Sequence, residues 1–125
     1  MRYSLLLNYA EPGADEIPAE TIAEAQAAFD RYAKALDAAG VLVAADILKP
    51  TATSTTVTLR NGSLHVQDGP FADTKEQLAG VFLVDVPDLD AALAWAEKCP
   101  AAQWGTIEVR PTATYFADGQ WHQVG

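Results

Sequence analysis

The chain has few of the residues that form disulfides and metal sites. Its 125 residues include one cysteine and two histidines, so no internal disulfide can form, and no spacing typical of a zinc site occurs. Cys99 follows a predicted helix, where a small core residue is a commoner role than a nucleophile. We expect a cytoplasmic protein without a bound metal or cofactor, since free cysteine is usual in reducing compartments.

Long apolar runs and positive charge are also scarce. The apolar run at residues 5–7 is far too short for an export signal, and nothing approaches the roughly 20 apolar residues of a membrane span. Acidic residues number 17 against 8 basic ones, for a formal net charge of -9. That charge repels phosphate backbones and anionic lipids, so we expect neither direct nucleic-acid binding nor membrane binding. A Gly-rich phosphate-binding loop is also missing.

The composition is that of an ordinary globular domain. Half of the residues are hydrophobic, and neither an internal repeat nor a linker divides the chain. We therefore expect one domain over residues 1–125, with a tail at 112–125 in which Asp118-Gly119 predicts a small hairpin.

Hydrophobic periodicity predicts the order strand, helix, strand, hairpin, strand, helix, strand. Pro12 and Gly13 break the chain after the first strand, and Gly40 ends the first helix. Asp88 is a good N-cap for the second helix, whose buried stripe would hold Leu89, Leu93 and Ala96. The predicted strands cover residues 3–9, 41–48, 81–86 and 106–110, and the first helix starts at Pro18 and buries Ile22, Ala25, Phe29, Ala33 and Leu36.

This order predicts an α+β fold, a ferredoxin-like βαββαβ unit with an added hairpin. Two helices can cover only one face of its sheet. The strands at 3–9 and 81–86 nevertheless carry apolar residues on both faces. A bare apolar sheet face exceeds what a monomer usually exposes, so we expect a second copy to cover it in a symmetric homodimer.

The added hairpin has a strong local signal. Asn61-Gly62 favours a type I′ turn between strands at 55–60 and 63–67. Pairing across that turn places Leu59 opposite Leu64, and Val57 opposite Val66, on one apolar face. His65 lies on the other, polar face.

Two motifs give the chain a family resemblance. Residues 68–71 read Asp-Gly-Pro-Phe and are followed by Asp-Thr-Lys-Glu-Gln-Leu at 73–78 and by Gly80. This resembles the DGPF motif of the YCII-related family, and Gly-Thr-Ile-Glu-Val-Arg-Pro at 105–111 resembles its second signature. The similarity covers roughly residues 1–111. It implies a dimeric α/β-barrel of ferredoxin-like protomers, in a family whose function is mostly undefined.

Some members of that family resemble enzymes built on a His-Asp pair, with the histidine on the first helix and the aspartate after the second. Alignment on Gly40 places Phe29 and Cys99-Pro100 at those positions, and neither transfers protons in that way. Other members are encoded beside, or fused to, extracytoplasmic-function sigma factors. The resemblance thus also implies a sigma factor as a partner, which an acidic domain could bind.

Asp68 and His65 are the candidates for proton transfer. Asp68 shares the hairpin parity of Leu64 and Val66, so it either caps the corner through backbone N–H groups or serves a ligand or a proton. His65 is either an exposed strand histidine or an acid–base group. Alternation places the two side chains on opposite faces, which prevents direct contact without a bulge. Phe71 and Phe82 are expected in the core.

Lys75, Glu108 and Arg110 complete the candidate ligand-binding set with Asp68. They form either ordinary surface ion pairs or, if the last strand turns this face into a barrel, contacts to an anionic ligand. The preferred interpretation is a homodimeric module that binds a small polar or anionic molecule. The alternatives are a cofactor-free enzyme using general acid–base chemistry, with Asp68 or His65 as base and Arg110 as stabiliser, and a regulatory partner of a sigma factor.

Overall fold

The computed structural model describes residues 1–11 and 17–124. The break predicted at Pro12 and Gly13 lies outside these residues. Short 3₁₀ turns occupy Thr51–Thr53 and Pro100–Gln103. The elements are β1 (Arg2–Tyr9), α1 (Ala19–Ala38), β2 (Leu42–Ile47), β3 (Thr55–Arg60), β4 (Ser63–Asp68), β5 (Gln77–Asp85), α2 (Leu89–Lys98), β6 (Gly105–Pro111), β7 (Thr114–Ala117) and β8 (Gln120–Gln123).

The main sheet has four strands in the order β2-β5-β1-β6. The pairings of β1 with β5 and β6, and of β2 with β5, are all antiparallel. Both helices supply buried side chains to one core with these strands. The predicted α+β class is confirmed, and the two helices with antiparallel strands are compatible with the ferredoxin-like fold.

The core lies between the helices and one face of the sheet. Leu5 and Leu7 of β1 are fully buried there, beside Phe82 of β5 and Leu36 of α1. Cys99 is buried too and belongs to the same cluster. Burial raises the pKa of its thiol, which keeps the sulfur protonated and fits the expected role of a small core residue.

The helix ends follow the sequence signals closely. The backbone N–H of Ala91 donates to Asp88 Oδ1 at 2.9 Å, so the predicted N-cap is confirmed. Gly40 has a φ of 74° directly after α1, the left-handed conformation that glycine adopts without strain. The helix itself begins at Ala19, one residue after the predicted start at Pro18.

The predicted helix stripes are partly wrong. Ile22, Leu89 and Leu93 are exposed. The buried face of α2 consists of Ala92 and Ala96, because small residues let the helix approach the sheet closely. In α1, Tyr32 is buried with Leu36. A prediction based on large apolar residues misses a buried helix face made of alanines, as in α2. It also misses a buried tyrosine whose hydroxyl is hydrogen-bonded, as in α1.

Two hairpins form separate two-stranded sheets, β3 with β4 and β7 with β8. The first has the predicted register, including Val57 opposite Val66 and Leu59 opposite Leu64. Asn61 and Gly62 have φ angles of 51° and 78°, as a type I′ turn requires. The four apolar side chains of this hairpin are 58% to 69% exposed. The tail hairpin turns at Asp118 and Gly119 with positive φ at both residues.

Candidate functional site

The sheet face away from the helices, called here the open face, carries the candidate ligand-binding residues of β6. In β1 the odd residues from Tyr3 to Leu7 are buried among the helices, and the even ones point the other way. Leu6 of β1 pairs with Val81 of β5 on one side and with Glu108 of β6 on the other. The open face holds Ser4, Leu6 and Asn8 of β1, Ala44 and Asp46 of β2, Val81 and Leu83 of β5, and Thr106, Glu108 and Arg110 of β6.

The centre of the open face is apolar. Leu6, Val81 and Leu83 are half-buried by neighbouring strands. A bulge between Leu7 and Asn8 shifts the pairing of β1 with β5, so Leu78 pairs with Asn8 and lies on the same face. Leu78 is exposed. These side chains form one contiguous apolar surface that the helices do not reach.

The β6 side of the open face is polar. Arg110 forms an ion pair with Glu108, and both side chains are well exposed, at 69% and 46%. Such a pair contributes about 0–1 kcal/mol to stability, so it does not explain the fold. Thr106 Oγ1 donates to Glu76 Oε1 at 2.9 Å, and Glu76 lies at the end of the loop that follows the Asp-Gly-Pro-Phe motif. The polar strip therefore links β6 to that loop.

The tail hairpin contacts one end of the open face at Arg2. The guanidinium carbon of Arg2 lies 4.0 Å from the centroid of the Tyr115 ring. Tyr115 stacks on His122 with centroids 4.9 Å apart and an interplanar angle of 14°. A cavity of about 280 Å³ opens beside them, lined in part by Arg2, Asp85 and Tyr115. The Asp118-Gly119 turn places Tyr115 opposite His122 within the hairpin, but the contact with Arg2 depends on where the tail packs.

Asp68 and His65 are not brought together. Asp68 pairs with Thr55 at the base of the β3–β4 hairpin and shares a face with Val66, whereas His65 pairs with Thr58 on the opposite face. Both are exposed. A single protomer thus holds no His65–Asp68 acid–base pair, as alternation predicted.

The Asp-Gly-Pro-Phe corner is held by its neighbours. Thr56 Oγ1 donates to the Gly69 carbonyl at 2.6 Å, and the Gly69 N–H donates to the Ser54 carbonyl at 2.8 Å. Gly69 has a φ of 104°, which other residues rarely adopt. Within residues 1–11 and 17–124, the Asp68 side chain accepts no hydrogen bond, so it does not cap the corner. The corner is instead held by the Thr56 hydroxyl and the Ser54 carbonyl.

Lys75 and Phe71 lie on the loop between β4 and β5. Lys75 is exposed, and the part of the chain that the structure describes gives it no ion pair. Phe71 is 87% exposed, so its expected place in the core is wrong, while Phe82 is buried as expected. The sequence pointed to Lys75, but its neighbour Glu76 makes the contact to β6.

The positions of the His-Asp pair are filled by apolar packing. The Phe29 ring stacks on Phe82 at 6.3 Å and meets Trp104 edge-on at 6.2 Å. Cys99 is buried. No three His, Cys, Asp or Glu side chains among the described residues are grouped to hold a metal ion. None of the helices described is both long and apolar enough to span a membrane.

Comparison with known proteins identifies a family to which the chain is similar. The sequence model of the YCII-related domain matches residues 1–114, which include the motif at 68–71 and the strand β6. An uncharacterised protein of Rhizobium meliloti (strain 1021) is 46% identical over 70 residues, or 54% of this chain. Those residues correspond to 56% of that protein, so the match spans only about half the length of the relative.

Proposed function

The chain belongs to the YCII-related domain family, and from that premise we propose that it acts as a homodimer that binds a small polar or anionic molecule beside its open face. The observation that carries the proposal is the composition of that face. An apolar centre around Leu6 and Leu83 adjoins a polar strip that ends in Arg110. The first part suits a second subunit, and the second suits a ligand.

The apolar centre supports the dimer. Leu6, Val81 and Leu83 lie in the middle of the sheet, where the same surface on a second copy can meet them about a two-fold axis. Burial of apolar side chains is the main favourable contribution to such an interface. The exposed apolar face of the β3–β4 hairpin adds further surface of the same kind. An isolated two-stranded hairpin is marginally stable in water, so contact with a partner would stabilise it.

The polar strip supports the ligand. Arg110 is a planar donor suited to a carboxylate or phosphate group, and Glu108 holds it in place on β6. When a second subunit removes water from this region, the attraction between Arg110 and an anion strengthens. Asp68 and Lys75 belong to this proposal as polar groups of the loop at its edge. Glu76 and Thr106 fix the end of that loop on β6.

The test is ligand-dependent protection against heat. We expect at least one member of a panel of small carboxylates and phosphate esters to raise the melting temperature of the native protein. Arg110→Ala should abolish that shift while leaving the far-ultraviolet circular dichroism spectrum unchanged. Arg60→Ala is the matched control, because Arg60 is an exposed arginine at the tip of the hairpin. No protection by any panel member, or equal protection of Arg110→Ala, would contradict the proposed ligand site.

A further inference from the structure

A second concave surface lies on the opposite side of the molecule from the open face. It is a groove of about 490 Å³ between α1 and the segment from Trp95 to Trp104. Its walls include Arg31, Tyr32, Trp95, Lys98 and Trp104. The groove is large enough for a small organic molecule and is widely open to solvent. None of the residues named for the proposed function lines the groove.

The charged residues that line the groove are both basic, in a strongly acidic chain. Arg31 and Lys98 are two of only 8 basic residues, and no acidic residue lines the groove with them. Within α1, the positions three and four residues from Arg31 hold three alanines and Lys34. Lys34, in contrast, pairs with Asp30 at 2.8 Å. Neither Arg31 nor Lys98 is in an ion pair among the described residues, so both remain available to an anion.

The groove also has aromatic walls. Trp104 is about half exposed and meets the rings of Tyr9 and Phe29 edge-on, at 6.4 and 6.2 Å. The Tyr32 hydroxyl donates to the Trp95 carbonyl at 2.7 Å and so ties α1 to α2. Burial raises the pKa of Tyr32, which keeps that hydroxyl neutral and adds no negative charge. The aromatic walls of the groove are therefore packed against other parts of the fold.

A stability role accounts for Lys98 better than for Arg31. Lys98 lies in the last turn of α2, where a cation interacts favourably with the helix dipole, and its Nζ is 5.0 Å from the Trp95 ring centroid. Arg31 lies within α1 and has no helical carboxylate partner. A guanidinium that faces a groove beside indole rings is suited to a carboxylate carried on a flat apolar molecule.

We propose that this groove binds a small aromatic carboxylate, whose ring packs between Trp95 and Trp104 and whose carboxylate pairs with Arg31 and Lys98. The site is complete within one protomer, so it requires neither the dimer nor the ligand of the open face. A carboxylate provides the charge, and an aromatic ring provides the flat surface. A neutral ring would make the aromatic contacts without the ion pairs, and a carboxylate without a ring would make the ion pairs without the aromatic contacts.

The experiment is a titration of the intact protein with naphthoate, followed by heteronuclear NMR of the three tryptophan indole N–H signals. Trp121 is the internal control, because it is 68% exposed on the tail hairpin and does not line the groove. The proposal predicts that the Trp95 and Trp104 signals move together and saturate, while the Trp121 signal stays. Naphthamide, the neutral analogue, should bind roughly tenfold more weakly, since it cannot make the charged hydrogen bonds.

Variants identify the charged contacts. Arg31→Gln and Lys98→Gln should each weaken naphthoate binding by about tenfold. Lys34→Gln removes a positive charge from α1, the helix of Arg31, but outside the groove. It should change the affinity for naphthoate by less than about twofold. Equal affinity of the Arg31 and Lys98 variants with the native chain would overturn the proposal, as would equal binding of naphthamide. Loss of binding in Arg110→Ala, with Arg31→Gln unaffected, would move the ligand to the open face and also overturn it.

Discussion

The two faces of the four-stranded sheet are built from the same strands but have different surroundings. Leu5 and Leu7 of β1 are fully buried under the helices, while Leu6 between them is only half-buried on the open face. Side chains of this size stabilise a fold only when something removes them from water. On the helix-covered face, one chain removes the apolar side chains from water. On the open face, one chain leaves them partly in contact with water. This difference is the physical basis for expecting a partner and a ligand on that side.

The largest effect should come from the helix-covered face. Phe82→Ala removes a buried ring that contacts Phe29 and Tyr32, and we expect the free energy of unfolding to fall by about 3–5 kcal/mol. Urea denaturation at several protein concentrations measures it. Leu83→Ala is the matched change on the open face and should cost less. Its cost should also increase with protein concentration, because it would act through the dimer. If Leu83→Ala lowered the free energy of unfolding more than Phe82→Ala in dilute protein, the open face would be the more important one for the stability of a single chain.

The smallest effect concerns the Glu108–Arg110 ion pair. In water, an exposed pair has a coupling energy of about 0–1 kcal/mol, whereas coupling is larger where water is excluded. A double-mutant cycle with Glu108→Gln and Arg110→Gln should therefore give a larger coupling in the native background than in a Leu83→Asp background. Denaturation of the four variants in each background provides the numbers. The same coupling in both backgrounds would indicate that this part of the open face stays solvated.

Local signals predicted the hairpin and the helix caps well. Asn61-Gly62 set the register of β3 and β4 to the residue, because a two-residue turn leaves one pairing. Alternation in β6 placed Glu108 and Arg110 on one face, but it did not say which face that was. Only the packing of Ile107 and Val109 against the core decides it.

Contacts that depend on how elements approach one another were missed. The bond between Thr106 and Glu76 spans 30 positions of the chain and requires the loop to cross the end of β1. The groove of Arg31 and Lys98 depends on how α1 meets the end of α2, where the Tyr32 hydroxyl donates to the Trp95 carbonyl. Large apolar residues were overvalued in both helices, since exposed leucines such as Leu89 are common on protein surfaces.

Sedimentation velocity measures whether a second copy covers the open face. The native chain should be a dimer at micromolar concentration. Leu83→Asp should give a folded monomer, since burying an uncompensated carboxylate weakens association by roughly a hundredfold or more. Leu89→Asp, an exposed leucine on the helix side, should leave the dimer intact. A well-folded native monomer at that concentration, or a Leu83→Asp protein that remains dimeric, would show that no second copy packs on this face.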